Sequence, residues 1–268
     1  MICEKLKKNV KNKPLKTSAT IFNEVLASDT PKTTRCRILK SISDVKSPVK
    51  KPVLTQRHRE LRLEWARTYF QQNFSKVLFS DKTRASLDGP DNWQKGWVFK
   101  ENKRPIKNFR QKQGGSIMIW AGIINDELVG PFRVPDGLKM TSKTYVKFLK
   151  EHFIPVYKNM NKNDFIFMQD NAPSHSAKFT KKFLKDSKIN VMFWPPNSPD
   201  LNPIENFWSV LKQKLYQNGK KYKSKNELWE NITKITSKMD RRAIKNLTDS
   251  VKKRIFDVVL KKGGYVDY

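Results

Sequence analysis

The 268-residue chain is poor in the residues that build cross-links and metal fingers. Its only cysteines are Cys3 and Cys36, and its only histidines are His58, His152 and His175. Two thiols cannot make a disulfide framework, and the pattern fits an intracellular setting. Scattered histidines with two cysteines cannot assemble a zinc finger. Long apolar runs are missing too. The longest, residues 117–124, falls far short of the ~20 residues that a membrane-spanning helix needs. Met1 is not followed by a signal-peptide pattern. No membrane partner is expected.

Acidic residues are the last scarcity. There are 25 Asp and Glu against 55 Lys and Arg, which gives a net charge of +30. Such a field attracts polyanions, and nucleic acid is the leading candidate because neutralised phosphates release condensed counterions. A solvated basic surface or an anionic membrane remains a rival reading of charge alone. The bases are spread along the chain: residues 1–60 carry 15 Lys and Arg against 5 acids, and residues 219–268 carry 14 against 6. With 37% hydrophobic residues the chain can still bury a core, enough for one large domain and a small appendage.

Three regions separate. Residues 1–43 read as a small all-α segment. Ile21, Phe22, Val25 and Leu26 fall at helical spacing, and Thr30-Pro31 marks a helix start. Ile38 and Leu39 are expected to face back to the first helices, with Arg35 and Arg37 projecting outward. A short basic last helix fits a helix-turn-helix, with Lys32, Arg35 and Arg37 as candidate DNA contacts. A plain three-helix bundle with a basic face fits the same pattern. Residues 44–56 read as a linker with Ser47-Pro48 and Lys50-Lys51-Pro52. Lys50 and Lys51 are candidate phosphate contacts; a plain spacer and an import signal are equal alternatives.

Residues 57–268 form the main domain. The patterns predict a helix over 59–70, a strand over 76–80 ending at Asp81, and β-rich runs at 97–99, 116–123 and 128–134. A helix over 141–157 precedes a strand over 165–169, with Asp170 at its end. A helix over 177–185, a strand over 191–194 and a helix over 202–216 capped by Asn202 follow, and two amphipathic helices close the chain. A strand meander followed by alternating elements makes this an α/β domain with a mixed sheet.

Asp81 and Asp170 each end a buried strand, where open sheets bind ligands. Glu205 lies on the first turn of the helix begun by Asn202. Converging carboxylates repel one another unless cations sit between them. Two divalent metals solve that problem and support in-line phosphoryl displacement. Hard oxygen donors favour Mg²⁺ or Mn²⁺ over Zn²⁺. Singly, each acid has a structural reading: a turn residue at Asp81, a turn cap at Asp170, and a capping-box partner of Asn202 at Glu205. Asp200 rivals Glu205 for the third place, but it precedes the helix, where the chain is less rigid.

Here a resemblance enters. Residues 169–175, QDNAPSH, and residues 194–208, WPPNSPDLNPIENFW, resemble the second-acid and third-acid signatures of the Tc/mariner superfamily of DDE transposases. The 34 residues between Asp170 and Glu205 agree with that spacing. LFSD at 78–81, SLDGPD at 86–91, GGSIMIW at 114–120 and the ending LKKGGYVDY are similar as well. Several motifs in order are more specific than one.

The resemblance implies an RNase H-like fold with Asp81, Asp170 and Glu205 as catalytic metal ligands for Mg²⁺, with Mn²⁺ able to substitute. It implies a DNA transposase that cuts double-stranded DNA at terminal inverted repeats and joins the 3′-hydroxyl to TA targets. A homodimer on DNA and action in the nucleus follow. Asn171 and His175 belong to the second signature as accessory residues; His175 contacts DNA or holds the helix start, with the structural role slightly preferred. The sequence departs from the family at Lys82, where Glu is usual, and at Ala85, where an aromatic is common. Strand alternation should point Lys82 away from the site of Asp81. Residues 1–43 resemble only the second of the family's two helix-turn-helix units, so the chain reads as N-terminally shortened. A catalytically inactive, transposon-derived DNA-binding protein is the alternative reading. Trp93, Trp97, Trp194 and Trp208 can stack on bases, but large aromatics are more often core, and Trp120 and Trp208 are assigned there.

Overall fold

The computed structural model describes residues 4–8, 18–26, 30–42, 53–89, 115–159 and 165–266. The expectations for Cys3, Lys50, Lys51, Trp93, Trp97 and the 97–99 run lie outside those residues. The chain divides into two compact units, Met1–Val53 and Leu54–Tyr268.

In the first unit, residues 4–8 are helical and are followed by α1 (Ser18–Leu26) and α2 (Lys32–Ile42). Leu6, Ile21 and Phe22 are buried together, and Val25, Ile38, Leu39 and Ile42 pack against them. Ile38 and Leu39 thus face inward as the periodicity required. Lys32 and Arg37 are exposed, but Arg35 is half-buried. Arg35 lies three, four and seven residues before Ile38, Leu39 and Ile42, so it shares their helical stripe. The expectation that it projects outward is corrected by that register. Its Nε is buried without a hydrogen-bond partner among the described residues.

The second unit is built on a four-stranded sheet in the order β3-β2-β1-β4. β1 (Val77–Ser86) pairs antiparallel with β2 (Ser116–Ile124), and β2 pairs antiparallel with β3 (Glu127–Val134). β4 (Ile166–Met168) runs parallel to β1. The sheet is therefore mixed, as the element order implied. Side chains alternate between two cores. Val77, Phe79, Ile117, Ile119, Ala121 and Ile123 face α3 (Gln56–Thr68) and three helices that come later in the chain. Those three are α8 (Ile204–Leu215), α9 (Lys225–Ser237) and α10 (Arg241–Leu260). Leu78, Trp120 and Phe167 face the other way. They meet α4 (Ser142–Phe148), its continuation through a π-helical turn, Leu149–Phe153, into α5 (Ile154–Asn159), and α7 (Lys178–Asp186) beyond the short α6 (Pro173–Ser176). Trp120 and Trp208 are core, and so is Trp194.

Three expectations shift. β1 does not end at Asp81 but continues to Ser86, because its antiparallel partner β2 extends alongside. What ends there is the parallel pairing, whose last register pair is Phe79 with Met168. The predicted strand over 191–194 reduces to a parallel bridge between Val191 and Phe167. The helix carrying Glu205 starts at Ile204, two residues later than predicted.

Gly122 sits under Leu78 on the second face. A Cβ there would lie 2.7 Å from Leu78 Cδ1 and 3.2 Å from Cγ. Gly122→Ala is expected to destabilise the protein by about 1–3 kcal/mol through overpacking. Leu78→Ala in the same chain should recover part of that loss. Urea unfolding of the single and double variants measures both, and additive costs would contradict the packing described.

Candidate active site

Asp81 lies on β1 just past the end of its parallel pairing with β4, and Asp170 follows β4 at that same end. Ser80 ties those strands together: its Oγ donates to the Met168 carbonyl at 2.8 Å. The loop over 194–203 then brings α8 to the same end. Its Asn202 is buried, accepts the Ile204 N–H at 3.3 Å and points its amide at the Ser80 carbonyl, 3.5 Å away. The Asn202 N–H itself donates to Pro199, at 3.0 Å, not to Glu205. The capping-box reading of Glu205 is not realised, and its carboxylate faces the cleft instead. That cleft, of about 360 Å³, is lined by Asp81, Asp170 and Glu205 with Asn171, Trp194 and Asn197.

The electrostatics divide the acids into a pair and a single. Burial, and then the charge of Glu205, push the Asp81 carboxyl up to about 7. Glu205 is also raised, by burial first; a hydrogen bond with Asp81 and the nearby Lys212 ammonium work in the opposite direction. Two like charges forced together hold a proton that neither would hold alone. Asp170 behaves differently. Burial acts to raise it, but the hydrogen bond and charge of His175, the Ala172 N–H and the Lys82 ammonium together bring it below the ordinary carboxylate range.

The setting of Asp170 was only partly legible in sequence. His175 Nδ1 lies 2.5 Å from Asp170 Oδ1, and the Ala172 N–H donates to the same oxygen at 3.1 Å. The His175 ring is buried and stacks on Tyr145 with centroids 4.1 Å apart. Lys82 Nζ lies 3.1 Å from His175 Nε2. An ammonium can only donate, so the ring proton belongs on Nδ1, facing Asp170. Strand alternation does send Lys82 to the face opposite Asp81. Its long stem nevertheless brings the charge back to Asp170 through the imidazole, an arrangement that the alternation rule does not reach. Burial lowers Lys82, while Asp170 and Asp81 pull it the other way. Asn171 is exposed and its amide donates to the Trp194 carbonyl at 2.7 Å, which fastens the loop over 194–203 to the second signature.

Asp200 is excluded as the third acid. It is 2% exposed, and its carboxylate is held at 2.8 and 2.6 Å by Arg62 and at 2.8 Å by the Val266 N–H. Arg62 and Arg254 are the site-supporting residues that sequence reasoning missed. Each sits in a helix rich in other basic residues, so neither stands out by composition.

A family model described as a DDE superfamily endonuclease matches residues 76–229, more than half of the chain. The transposable element Tc3 transposase of Caenorhabditis elegans is 31% identical over 254 residues, covering 94% of this chain and 77% of that protein. The chain belongs to the Tc/mariner superfamily of DDE transposases. A second member, the Tcb1 transposase of Caenorhabditis briggsae, is 27% identical over 93% of this chain and 94% of its own length. The fold agrees with solved structures of the superfamily. The Mos1 transposase paired-end complex with left transposon end superposes with a TM-score of 0.83 at 15% identity, over 99% of this chain and 80% of that one. The catalytic domain of Mos1 mariner transposase superposes at 0.66 and 15% identity, over 82% of this chain and all of that domain. The α/β sheet flanked by helices is thus the superfamily's RNase H-like domain.

The donor set suits hard divalent cations: carboxylate oxygens only, on a cleft open to water, with two of them suppressing each other's ionisation. Among the described residues, however, no three His, Cys, Asp or Glu side chains are gathered closely enough to hold one ion in common. The physical reason is the split just described, with Asp81 beside Glu205 and Asp170 turned to His175.

The raised Asp81 gives a sign that can be measured. Folded Asp81 takes up its proton near 7, against an ordinary value of 3.8. Between those values the native state binds more protons than the unfolded chain, so stability falls as pH rises. Asp81→Asn should therefore raise the Tm of the metal-free protein at pH 8, by roughly 2–4 °C for each kcal/mol of relieved repulsion. The gain should vanish below about pH 4. Thermal melts across pH measure it, and an equal gain at both pH values would contradict the assignment.

Proposed function

We propose that this chain is a DNA transposase that cuts double-stranded DNA at terminal inverted repeats and joins the freed 3′-hydroxyl to TA targets. The observation that carries the proposal is the convergence of Asp81, Asp170 and Glu205 on one open cleft at the end of a parallel strand pair. Mg²⁺ is the proposed cofactor, with Mn²⁺ as substitute. A divalent pair bound there would supply Lewis acidity to activate a water or a 3′-hydroxyl and to stabilise the leaving oxygen.

Asp81, Asp170 and Glu205 are proposed as the residues that would hold the cations, since all three line the same cleft. His175 orients Asp170 and Lys82 fixes the tautomer of that imidazole, so both are accessory to the ligand rather than to the substrate. The burial of His175 supports its structural role over a DNA contact. Asn171 fastens the loop that leads to Glu205.

Residues 1–43 are proposed as a helix-turn-helix segment, 44–56 as a basic linker and 57–268 as the catalytic domain. Exposed Lys32 and Arg37 are proposed as DNA contacts, with Lys50 and Lys51 tracking phosphates. Arg35 contributes less, since its stripe packs inward. A homodimer on two DNA ends and action in the nucleus are part of the same proposal. No helix of the described residues is long and apolar enough to cross a membrane.

A second reading, a DNA-binding protein without turnover, is favoured by one observation: the three carboxylates are not gathered around a single point. Cleavage of terminal-repeat DNA with Mg²⁺ or Mn²⁺ decides between them. Nicking by the wild type should fall to background in Asp170→Ala and Glu205→Gln. Equal nicking by both variants would remove these residues from the chemistry, and none by the wild type with either metal would favour the silent reading. For the first unit, Lys32→Ala with Arg37→Ala should weaken duplex binding. The pair should also flatten the slope of log K against log salt by about 2. An unchanged slope would exclude these phosphate contacts.

A further inference from the structure

The helix turn bearing Glu205 is gripped from outside by two buried arginines on separate helices. Arg62 of α3 is wholly buried, and all five of its N–H groups are used. Its Nε donates to the Gly263 carbonyl at 2.9 Å. One terminal nitrogen donates to Ser198 Oγ at 2.7 Å and Asp200 Oδ1 at 2.8 Å. The other reaches Asp200 Oδ2 at 2.6 Å and the Gly264 carbonyl at 3.0 Å. Arg254 of α10 donates to the Asp200 carbonyl at 2.9 Å and to Asn206 Oδ1 at 2.7 Å. Asp200 and Asn206 bracket the turn that carries Glu205.

The tail closes the arrangement. Val266 is buried and its N–H donates to Asp200 Oδ2 at 2.8 Å. Gly263 has φ +79°, and a Cβ there would lie 2.2 Å from the Arg59 carbonyl oxygen. Only glycine lets the tail approach α3 this closely.

We propose that Arg62 and Arg254 form a clamp that positions Glu205 for cation binding, with the tail residues 263–266 as its outer wall. The proposal rests on the reading of Glu205 as a cation ligand. A buried ion pair is weak evidence for stability, since apolar residues of similar volume often replace one at no loss. What apolar residues cannot replace is direction. The guanidinium fork fixes Asp200 in two planes and ties it to two tail carbonyls, and Lys has neither the planarity nor the five donors. Arg62 and Arg254 touch no reacting atom; they are positioning residues.

The test separates folding from metal binding. Arg62→Met with Asp200→Leu removes both partners, so no charge is stranded. Full-length wild type, this double variant and Glu205→Gln are titrated with Mn²⁺ by electron paramagnetic resonance, beside thermal melts. The double variant should unfold cooperatively yet bind one Mn²⁺ about 10-fold or more weakly, as losing an outer ligand support does, and so move toward Glu205→Gln. If it folds and binds both ions as tightly as the wild type, the clamp has no positioning role. Should the double variant fail to fold, Arg254→Lys takes its place with the same two readouts and the same deciding outcomes. If the wild type binds no Mn²⁺ and Asp170→Ala changes nothing, the metal reading itself fails and the clamp falls with it. Binding by the wild type alongside an unaffected clamp variant overturns this inference alone.

Discussion

Two negative charges that the fold will not let separate, those of Asp81 and Glu205, govern the rest of this structure. Burial first, and then their mutual repulsion, raises the Asp81 carboxyl to about 7 in the absence of a cation. A protein gains nothing in stability from such a pair, so the surrounding structure has to impose it. The parallel pairing of β1 with β4 sets the position of one acid, and the loop over 194–203 brings in the other. Ser80 and Asn202 stitch the two together from either side. Asp170 also repels both, but the His175 ring, the Ala172 N–H and the Lys82 ammonium offset its burial and keep its carboxyl below the ordinary range.

Much of this was written in local pattern. The strands that carry Asp81 and lead to Asp170, and a helix bearing Glu205 near its start, follow from hydrophobic periodicity, and the mixed sheet follows from element order. What local pattern misses are contacts made by long side chains across the fold. Lys82 obeys strand alternation and yet delivers its charge to Asp170 through His175. Arg62 reads as one base among many in QRHRELRLEWART, although it is fully buried and saturated with acceptors. Arg35 reads as a surface base until the helical register of Ile38, Leu39 and Ile42 is counted. For Lys82 and Arg62 the setting is decided by partners far away in sequence, which no window along the chain contains.

Asp200 and Glu205 illustrate the distinction between two acids five residues apart. Rigidity of the helix favoured Glu205, and the structure adds that Asp200 is consumed by Arg62 and Val266. The rival is thus a support for the other acid. The support around Glu205 is built from contacts that Arg62, Arg254 and the tail make in this chain.

The central proposal is that the cleft lined by Asp81, Asp170 and Glu205 holds a pair of divalent cations. Crystals soaked in Mn²⁺ and measured at the manganese absorption edge test it most directly. Two anomalous peaks are predicted in the cleft lined by Asp81, Asp170 and Glu205. A cleft without manganese at saturating concentration, or ions bound only elsewhere on the protein, would contradict it.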